Sequence, residues 1–134
     1  MKILLIEDDP LISRMYTKAF TQAGYEVELA ADGEAGLQKA GTVNPTLILL
    51  DVMMPKMNGI QVLESLKKNP ATNAIPVVML TNLSNQQDME HCFNKGAIEF
   101  LTKSAYEPSA IVTRINEILH FTQKEVPQNA KPLQ

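Results

Sequence analysis

Three carboxylates stand directly after apolar runs of the sequence and are its strongest candidates for chemistry. Asp51 follows Leu47–Leu50, and Glu7 and Asp8 follow Lys2–Ile6. An apolar run of this length is typical of a strand that is buried on both faces. A carboxylate at the end of a buried strand is costly unless it is paired, hydrogen-bonded or bound to a metal ion. The pattern therefore predicts compensating groups close to these carboxylates.

Two further apolar runs lead to groups that could supply this compensation. Thr81 follows the run Ile75–Leu80, and Lys103 lies shortly after the run Ala97–Leu101. Clustered carboxylate ligands favour Mg²⁺ that retains several waters. A nucleophilic carboxylate, a divalent cation, a hydroxyl and a lysine are together the groups needed to accept a phosphoryl group.

The elements that must position these residues alternate along the chain. Five apolar runs of strand length alternate with five segments that have apolar residues at helical spacing. The predicted strands are Lys2–Ile6, Tyr25–Ala30, Leu47–Leu50, Ile75–Leu80 and Ala97–Leu101. This alternation predicts an α/β fold with a five-stranded parallel sheet, helices on both faces and sites beyond the carboxyl ends of the strands. The flavodoxin-like doubly wound order 2-1-3-4-5 would bring Glu7 and Asp8 beside Asp51.

Capping residues and periodic apolar residues set the predicted helix boundaries. Asp9 is expected to cap the first helix, with Pro10 at its first position. One face of this helix is predicted from residues at three- and four-residue spacing: Ile12, Met15, Tyr16, Ala19, Phe20 and Ala23. Ser84 or Asn85 is predicted to cap the fourth helix. The fourth helix has a shorter face of the same kind: Met89, Cys92 and Phe93.

Length and composition predict one folded domain over residues 1–122. The 134 residues suffice for one domain with a hydrophobic core. Residues 123–134 contain Pro127 and Pro132 without periodicity, which predicts a C-terminal tail or the start of a linker. There is no room here for a DNA-binding domain as well. We therefore expect either a stand-alone regulator or a domain of a longer protein.

Charge and cysteine content indicate the compartment and exclude some classes of partner. The net charge of −3 argues against a broad basic surface for direct nucleic-acid binding. No apolar run is long enough to cross a membrane, and Glu7–Asp9 interrupt the N-terminal run too early for a signal peptide. The single cysteine, Cys92, cannot form an internal disulfide, so a cytoplasmic protein is expected.

Four blocks of the sequence resemble the receiver domain of response regulators in two-component and phosphorelay signalling. The blocks are Leu4–Asp9, Asp51–Gly59, Val78–Thr81 and the segment from Gly96–Ala97 through Phe100–Lys103. They occur in the order found in this CheY-like family, and the resemblance covers about residues 1–121.

The resemblance implies that a histidine kinase or a histidine phosphotransfer protein phosphorylates Asp51. It also implies a bound Mg²⁺, for which Mn²⁺ could substitute. The direct ligands would be the carboxylates of Asp8 and Asp51 and the backbone carbonyl of Met53, whereas Glu7 would act through water.

The resemblance further implies a conformational switch. Thr81, Asn82 and Lys103 would contact the phosphoryl group, and Thr81 would move towards it. Phe100 would swing inward into the space that Thr81 vacates. The surface of the fourth helix, fifth strand and fifth helix would then change for a downstream protein, a fused output domain or a phosphorylation-dependent dimer.

Four positions qualify these expectations. Ser104 stands where the family usually has a proline after its lysine, often with a cis peptide bond. A cis bond before a non-proline residue costs roughly 2.5–4 kcal/mol, so either the Lys103–Ser104 bond is trans and the loop differs, or strain is stored there. Asn82 replaces a usually small residue and would crowd the phosphoryl group or hydrogen-bond to it. Met53 and Leu83 add apolar bulk, which by hypothesis restricts the attacking water and slows self-dephosphorylation.

Three alternative functions share parts of this pattern. A phosphatase of the haloacid-dehalogenase type needs a second aspartate where this chain has Met53, so no turnover of external substrates is expected. A flavin-binding module would need a phosphate-binding loop where this chain has Glu7–Asp9. A degenerate receiver that acts as a phosphorylation-independent interaction module stays open because of Asn82 and Ser104.

Overall fold

The computed structural model of the protein describes residues 1–82 and 86–128. Five strands are present in this part of the chain: β1 (Lys2–Ile6), β2 (Glu26–Ala30), β3 (Leu47–Leu50), β4 (Val77–Thr81) and β5 (Glu99–Thr102). The α-helices between and after them are α1 (Pro10–Gln22), α2 (Gly33–Thr42), α3 (Gly59–Lys68), α4 (Gln86–Asn94) and α5 (Pro108–Gln128). A 3-10 turn, Lys103–Ala105, follows β5.

The strands form one parallel sheet in the order β2-β1-β3-β4-β5, as predicted. One apolar layer packs the sheet against α1 and α5, and the other packs it against α2, α3 and α4. The strand with alternating glutamates, β2, lies at the edge of the sheet, as its sequence indicated.

The central strand β3 explains why a carboxylate follows four apolar residues. Leu47 and Leu49 belong to the layer with α1 and α5, and Ile48 and Leu50 belong to the opposite layer. Because both faces of β3 are covered, its side chains must all be apolar. Polar chemistry can begin only where the strand leaves the sheet, at Asp51.

The first helix is capped as predicted but is buried differently from the prediction. The Asp9 carboxylate accepts hydrogen bonds from the backbone N–H groups of Leu11 and Ile12, at 2.9 and 3.3 Å. The predicted apolar face was wrong at Met15 and Ala23, which are exposed. Ser13, which was not predicted to be buried, is 8% exposed, and its hydroxyl donates to the carbonyl of Glu7 at 3.4 Å.

The fourth helix also differs from its pattern, because Cys92 is buried but Phe93 is exposed. Both helices show the same limit of periodicity. Helical spacing identifies an apolar stripe, but the neighbouring elements decide how wide a stripe they cover. The predicted caps Ser84 and Asn85 lie outside the described residues.

The last helix is longer than predicted. It runs through Gln128, whereas the sequence pattern indicated a tail from residue 123. The boundary between a domain of residues 1–122 and a following segment stays a prediction, and residues 129–134 lie outside the described part. Within the described residues, no helix is both long and apolar enough to cross a membrane.

Candidate functional site

The sheet brings the three predicted carboxylates together. Ile6 and Leu50 are partners in the register of β1 and β3, so the residues that follow them emerge side by side. Glu7, Asp8 and Asp51 each offer an oxygen, and these oxygens lie within 4.8 Å of one another. Glu7 is 3% and Asp51 6% exposed, whereas Asp8 is exposed. Two buried negative charges at this distance require a nearby cation or a shared proton.

Lys103 supplies a positive charge to the two buried carboxylates. Its Nζ lies 2.5 Å from Glu7 Oε1 and 3.3 Å from Asp51 Oδ2. The Lys103 side chain is itself only 10% exposed. The predicted neutralisation of the acidic cluster by this lysine is therefore seen directly.

Backbone N–H groups occupy the remaining carboxylate oxygens of the buried pair. Glu7 Oε2 accepts from the N–H of Asp9 at 3.1 Å, and Asp51 Oδ1 accepts from the N–H of Met53 at 3.3 Å. Asp8 forms no ion pair or side-chain hydrogen bond with any described residue. Asp8 is therefore the carboxylate of the cluster that is available to a new ligand.

Burial and pairing shift the pKa values of Glu7 and Lys103. Burial raises the pKa of Glu7 and outweighs the opposing effect of its hydrogen bond from Lys103. Burial alone would lower the pKa of Lys103, but its hydrogen bond to Glu7 and the charge of Asp51 raise it overall. Lys103 therefore stays charged at neutral pH, while Glu7 takes up a proton more readily than an exposed glutamate.

The hydroxyl and amide candidates lie at the end of the neighbouring strand. Leu50 pairs with Met79, so Thr81 lies just beyond the level of Asp51. Thr81 is buried at the end of β4. Asn82 is exposed and lines a cavity of about 190 Å³ together with Lys103 and Ser104.

The proposed switch residue Phe100 lies away from the carboxylates. It pairs with Met79 in the register of β4 and β5, and its side chain is buried in the layer that faces α2, α3 and α4. The Phe100 side chain is 7% exposed and lies inward in this structure, and its inward swing on phosphorylation stays a prediction.

The loop after Asp51 is held by a glycine whose structural role the sequence pattern did not identify. The N–H of Gly59 donates to the carbonyl of Val52 at 2.8 Å. A Cβ at this position would lie 2.2 Å from the carbonyl oxygen of Asp51, so only glycine fits without a shift of the backbone. The signal available in the sequence is the capping box of Asn58 and Gln61, which places Gly59 at the first turn of α3.

The loop after β5 shows which isomer the Lys103–Ser104 peptide bond adopts. No cis peptide bond occurs among the described residues, so the Lys103–Ser104 bond is trans. Lys103 begins a 3-10 turn that ends at Ala105. The lysine reaches the acidic cluster from this turn, so a trans bond is compatible with its position there.

The cluster has the donor chemistry of a site for a hard divalent cation. Three carboxylates from two adjacent loops offer oxygen ligands, which Mg²⁺ prefers. Asp8 is exposed and open to solvent, so an ion could reach the cluster from that side. The acidic pocket therefore fits both a magnesium ion and phosphorylation of an aspartate.

Comparison with known sequences gives a consistent family. The family described as the response regulator receiver domain matches residues 3–116. The DNA-binding dual master transcriptional regulator RpaA of Synechocystis sp. is 39% identical over 130 residues, which are 97% of this chain and 53% of RpaA. The response regulator PleD of Caulobacter vibrioides is 41% identical over 120 residues, 90% of this chain and 26% of PleD. The chain spans about half the length of these relatives, or less.

Solved structures agree with the sequence relatives. A CheY-like response regulator receiver domain protein from Methanospirillum hungatei superimposes with a TM-score of 0.84 at 29% identity, covering 92% of this chain and 97% of that one. The phosphorylated cyanobacterial phytochrome response regulator RcpA superimposes with a TM-score of 0.78 at 32% identity, covering 90% and 94%.

The resemblance drawn from four sequence blocks is confirmed by the matching family, by the strand order and by these relatives. The chain belongs to the response regulator receiver domain family and is a signalling domain of two-component systems.

Proposed function

We propose that Asp51 accepts a phosphoryl group from a histidine kinase or a histidine phosphotransfer protein in a Mg²⁺-dependent reaction. The observation that carries this proposal is the position of Asp51. Its carboxylate is buried, lies 3.3 Å from the ammonium of Lys103 and clusters with Glu7 and Asp8. Among the described residues, Glu7 shares this environment, but Lys103 contacts it at 2.5 Å and the N–H of Asp9 at 3.1 Å, whereas the corresponding contacts of Asp51 are both 3.3 Å long.

The proposed transfer is a direct displacement at phosphorus. A carboxylate oxygen of Asp51 forms a bond to the phosphorus of a phosphohistidine while the bond from phosphorus to the imidazole nitrogen breaks. The released imidazole keeps the bonding electron pair and takes up a proton from water. Lys103 is close enough to Asp51 to stabilise the charge on the phosphoryl oxygens, which requires its ammonium to shift away from Glu7.

The metal ligands of this proposal are Asp8, Asp51 and the backbone carbonyl of Met53, with Glu7 acting through water. Both oxygens of Glu7 accept hydrogen bonds, at 2.5 Å from Lys103 and at 3.1 Å from the N–H of Asp9, and these contacts are shorter than the 3.3 Å contacts of the Asp51 oxygens, which supports an indirect role for Glu7. The exposed carboxylate of Asp8 supports a direct one. A bound Mg²⁺ would neutralise the carboxylates and the phosphoryl oxygens, and Mn²⁺ could replace it.

Thr81, Asn82 and Phe100 carry the proposed readout. Thr81 would turn its hydroxyl towards the phosphoryl group, Asn82 would contact the group from the mouth of the site, and Phe100 would swing inward into the space that Thr81 vacates. The surface of α4, β5 and α5 would then favour a downstream protein, a fused output domain or a phosphorylation-dependent dimer. RpaA is named as a DNA-binding regulator and is about twice as long as this chain, which supports a fused output domain as one arrangement.

The phosphoryl lifetime is proposed to depend on Met53. This side chain is 64% exposed beside Asp51, where it can restrict the approach of an attacking water. Met53→Asn should shorten the lifetime of the aspartyl phosphate, and an unchanged lifetime would exclude this role. Leu83, the second residue of this hypothesis, lies outside the described residues.

The proposal also covers where the domain acts and what it does not bind or turn over. The domain of residues 1–122 would act in the cytoplasm, without binding nucleic acid or a membrane itself and without turning over external substrates. Position 53, where a phosphatase of the dehalogenase type needs its acid, carries a methionine that cannot donate a proton. A degenerate receiver remains the second candidate, because Asn82 and Ser104 both stand in or beside the cavity next to Lys103.

The test is incubation with acetyl phosphate and Mg²⁺, followed by intact-mass measurement. We expect one added phosphoryl group, which should be absent with a chelator and absent in Asp51→Asn. Glu34→Gln, an exposed carboxylate on α2, serves as the control and should be phosphorylated normally. A chain that gains no phosphoryl group from acetyl phosphate or from phosphorylated kinase would be a degenerate receiver.

A further inference from the structure

A groove runs between α1 and β2, and of the acidic cluster only Glu7 and Asp8 line it. It has a volume of about 660 Å³ and follows α1 from Pro10 to Gln22, a length of about 18 Å at the rise of an α-helix. Its other wall is apolar and is formed by Leu29, Ala30 and Ala31. Glu7 and Asp8 line only the end near the start of α1.

Two cations, Arg14 and Lys18, lie on the α1 wall of the groove. Arg14 and Lys18 are exposed, line the groove and are four residues apart on the same helix face. Like charges at this spacing repel and destabilise a helix. Neither side chain forms an ion pair with a carboxylate of any described residue.

A hydroxyl on the same wall is also unsatisfied. Thr17 Oγ1 is shielded from solvent and has no hydrogen-bond partner, and it is the one side-chain atom of the described residues in this condition. Buried polar atoms normally have a partner, so an exception calls for a reason. Thr17 lies between Arg14 and Lys18 and lines the groove with Thr21.

The opposite wall of the groove exposes a large apolar side chain, which is unfavourable in water. Leu29 is 39% exposed on the edge strand β2. The preceding residue, Glu28, forms an ion pair with Lys39, whereas the apolar side chain of Leu29 faces the groove. Natural sequences depart from local rules mainly where function requires it. Unpaired cations, an orphaned hydroxyl and an exposed leucine meet in this one groove.

We propose that the groove between α1 and β2 binds a small amphipathic carboxylate. The apolar body of the ligand would lie on Leu29, Ala30 and Ala31, and its carboxylate would bind Arg14 and Lys18. Because Glu7 and Asp8 repel an anion at the other end, the carboxylate is expected at Arg14 and Lys18, in the middle of α1. The volume falls in the range of small-molecule sites, about 300–1,000 Å³, which favours such a ligand over a protein surface.

The position of the groove gives the ligand a route to the acidic cluster, since Glu7 and Asp8 border both sites. Any effect of the ligand on cation affinity must be matched by an equal effect of the cation on ligand affinity. The binding site itself does not depend on the proposed phosphorylation, so it is tested without Mg²⁺ and without a phosphoryl donor.

The test is a titration of the ¹⁵N-labelled chain with octanoate, followed by amide chemical shifts. We expect saturable shifts confined to residues 13–22 and 29–31. Arg14→Gln combined with Lys18→Gln should weaken the affinity by about tenfold or more. The matched control, Lys56→Gln combined with Lys68→Gln, removes the same charge from exposed positions and should bind normally. Octylammonium, with the same chain and the opposite charge, should not bind.

Four results would overturn the proposal. Three of them are the absence of saturable shifts with octanoate, saturable shifts confined to another surface, and equal affinity for the two double variants. Octanoate shifts reproduced by octylammonium would show that only the apolar wall binds and would also contradict it.

Discussion

Two lysine–carboxylate contacts in this domain have the same chemistry and opposite surroundings. Beyond the carboxyl ends of the strands, Lys103 bridges Glu7 and Asp51, and all three side chains are at most 10% exposed. Along the edge strand, Lys39 pairs with Glu28 at 3.6 Å, and these side chains are 40% and 32% exposed. Burial therefore distinguishes Lys103, which can take part in chemistry at the site, from Lys39, which forms only a weak contact at the surface.

The magnitudes of the two kinds of contact explain the difference. An exposed pair contributes about 0–1 kcal/mol, because water screens its charges in either state. A buried pair must offset a desolvation cost of several kcal/mol per ion, so removal of one partner leaves an expensive charge behind. The strand-end cluster contains three carboxylates and one lysine, so two negative charges are left for a cation to neutralise.

The largest expected effect comes from removing the buried lysine. Lys103→Met should lower the free energy of unfolding by about 3 kcal/mol without divalent cations, since Glu7 and Asp51 lose their counter-charge. Lys39→Met should lower it by less than about 1 kcal/mol. Urea unfolding of both variants measures the two losses. Equal losses would show that burial does not distinguish the two contacts.

The second effect concerns the backbone that carries Asp51. Gly59→Ala should destabilise the domain by about 1–3 kcal/mol, because the new methyl group would collide with the Asp51 carbonyl. Gly41→Ala is the matched control, since it lies in α2 with nothing within 4 Å of the added carbon, and it should be stabilising by about 0.5–1 kcal/mol. Thermal unfolding compares them, and a neutral Gly59→Ala would contradict the tight approach.

The third effect tests whether the excess negative charge binds a cation. At Mg²⁺ concentrations about tenfold above its dissociation constant, the domain should gain about 1.4 kcal/mol of stability. Asp8→Asn should abolish this gain, and Glu34→Gln on α2 should keep it. The measurement is the unfolding midpoint with Mg²⁺ and with a chelator. A gain that survives in Asp8→Asn would place the ion elsewhere.

The smallest effect belongs to an exposed pair. Lys95 lies 2.7 Å from Glu64, and its hydrogen bond and charge hold the pKa of Glu64 below its usual value. A lowered pKa means that the contribution of Glu64 is present above its unfolded pKa and is lost as the pH falls through the folded value. Lys95→Gln should return this pKa towards its usual value with no measurable change in unfolding at neutral pH. NMR titration of the Glu64 side chain would show it, and an unmoved pKa would contradict the pairing.

The sheet and the cluster could be predicted because each depends on strong local patterns. Four consecutive apolar residues before Asp51 require burial on both faces, and alternating strands and helices require parallel pairing. The strand order then brings Glu7 and Asp8 to Asp51. Lys103 follows from its position after the last strand.

The parts that escaped prediction depend on contacts between distant segments. Periodicity placed Met15 on the buried face of α1, but the width of that face is set by the sheet and α5, so Ser13 is buried instead. The role of Gly59 depends on the approach of a carbonyl from another loop. The groove between α1 and β2 likewise has no signature in either segment alone.

The most direct test of the central claim is the location of the phosphoryl group within the cluster. Phosphorylated protein is reduced with borohydride, which converts an aspartyl phosphate to homoserine, and the peptides are then sequenced by mass spectrometry. Transfer of the phosphoryl group to Asp51 predicts homoserine at residue 51 and unmodified carboxylates at Glu7 and Asp8. Modification of Asp8 or Glu7 with Asp51 intact would contradict the account.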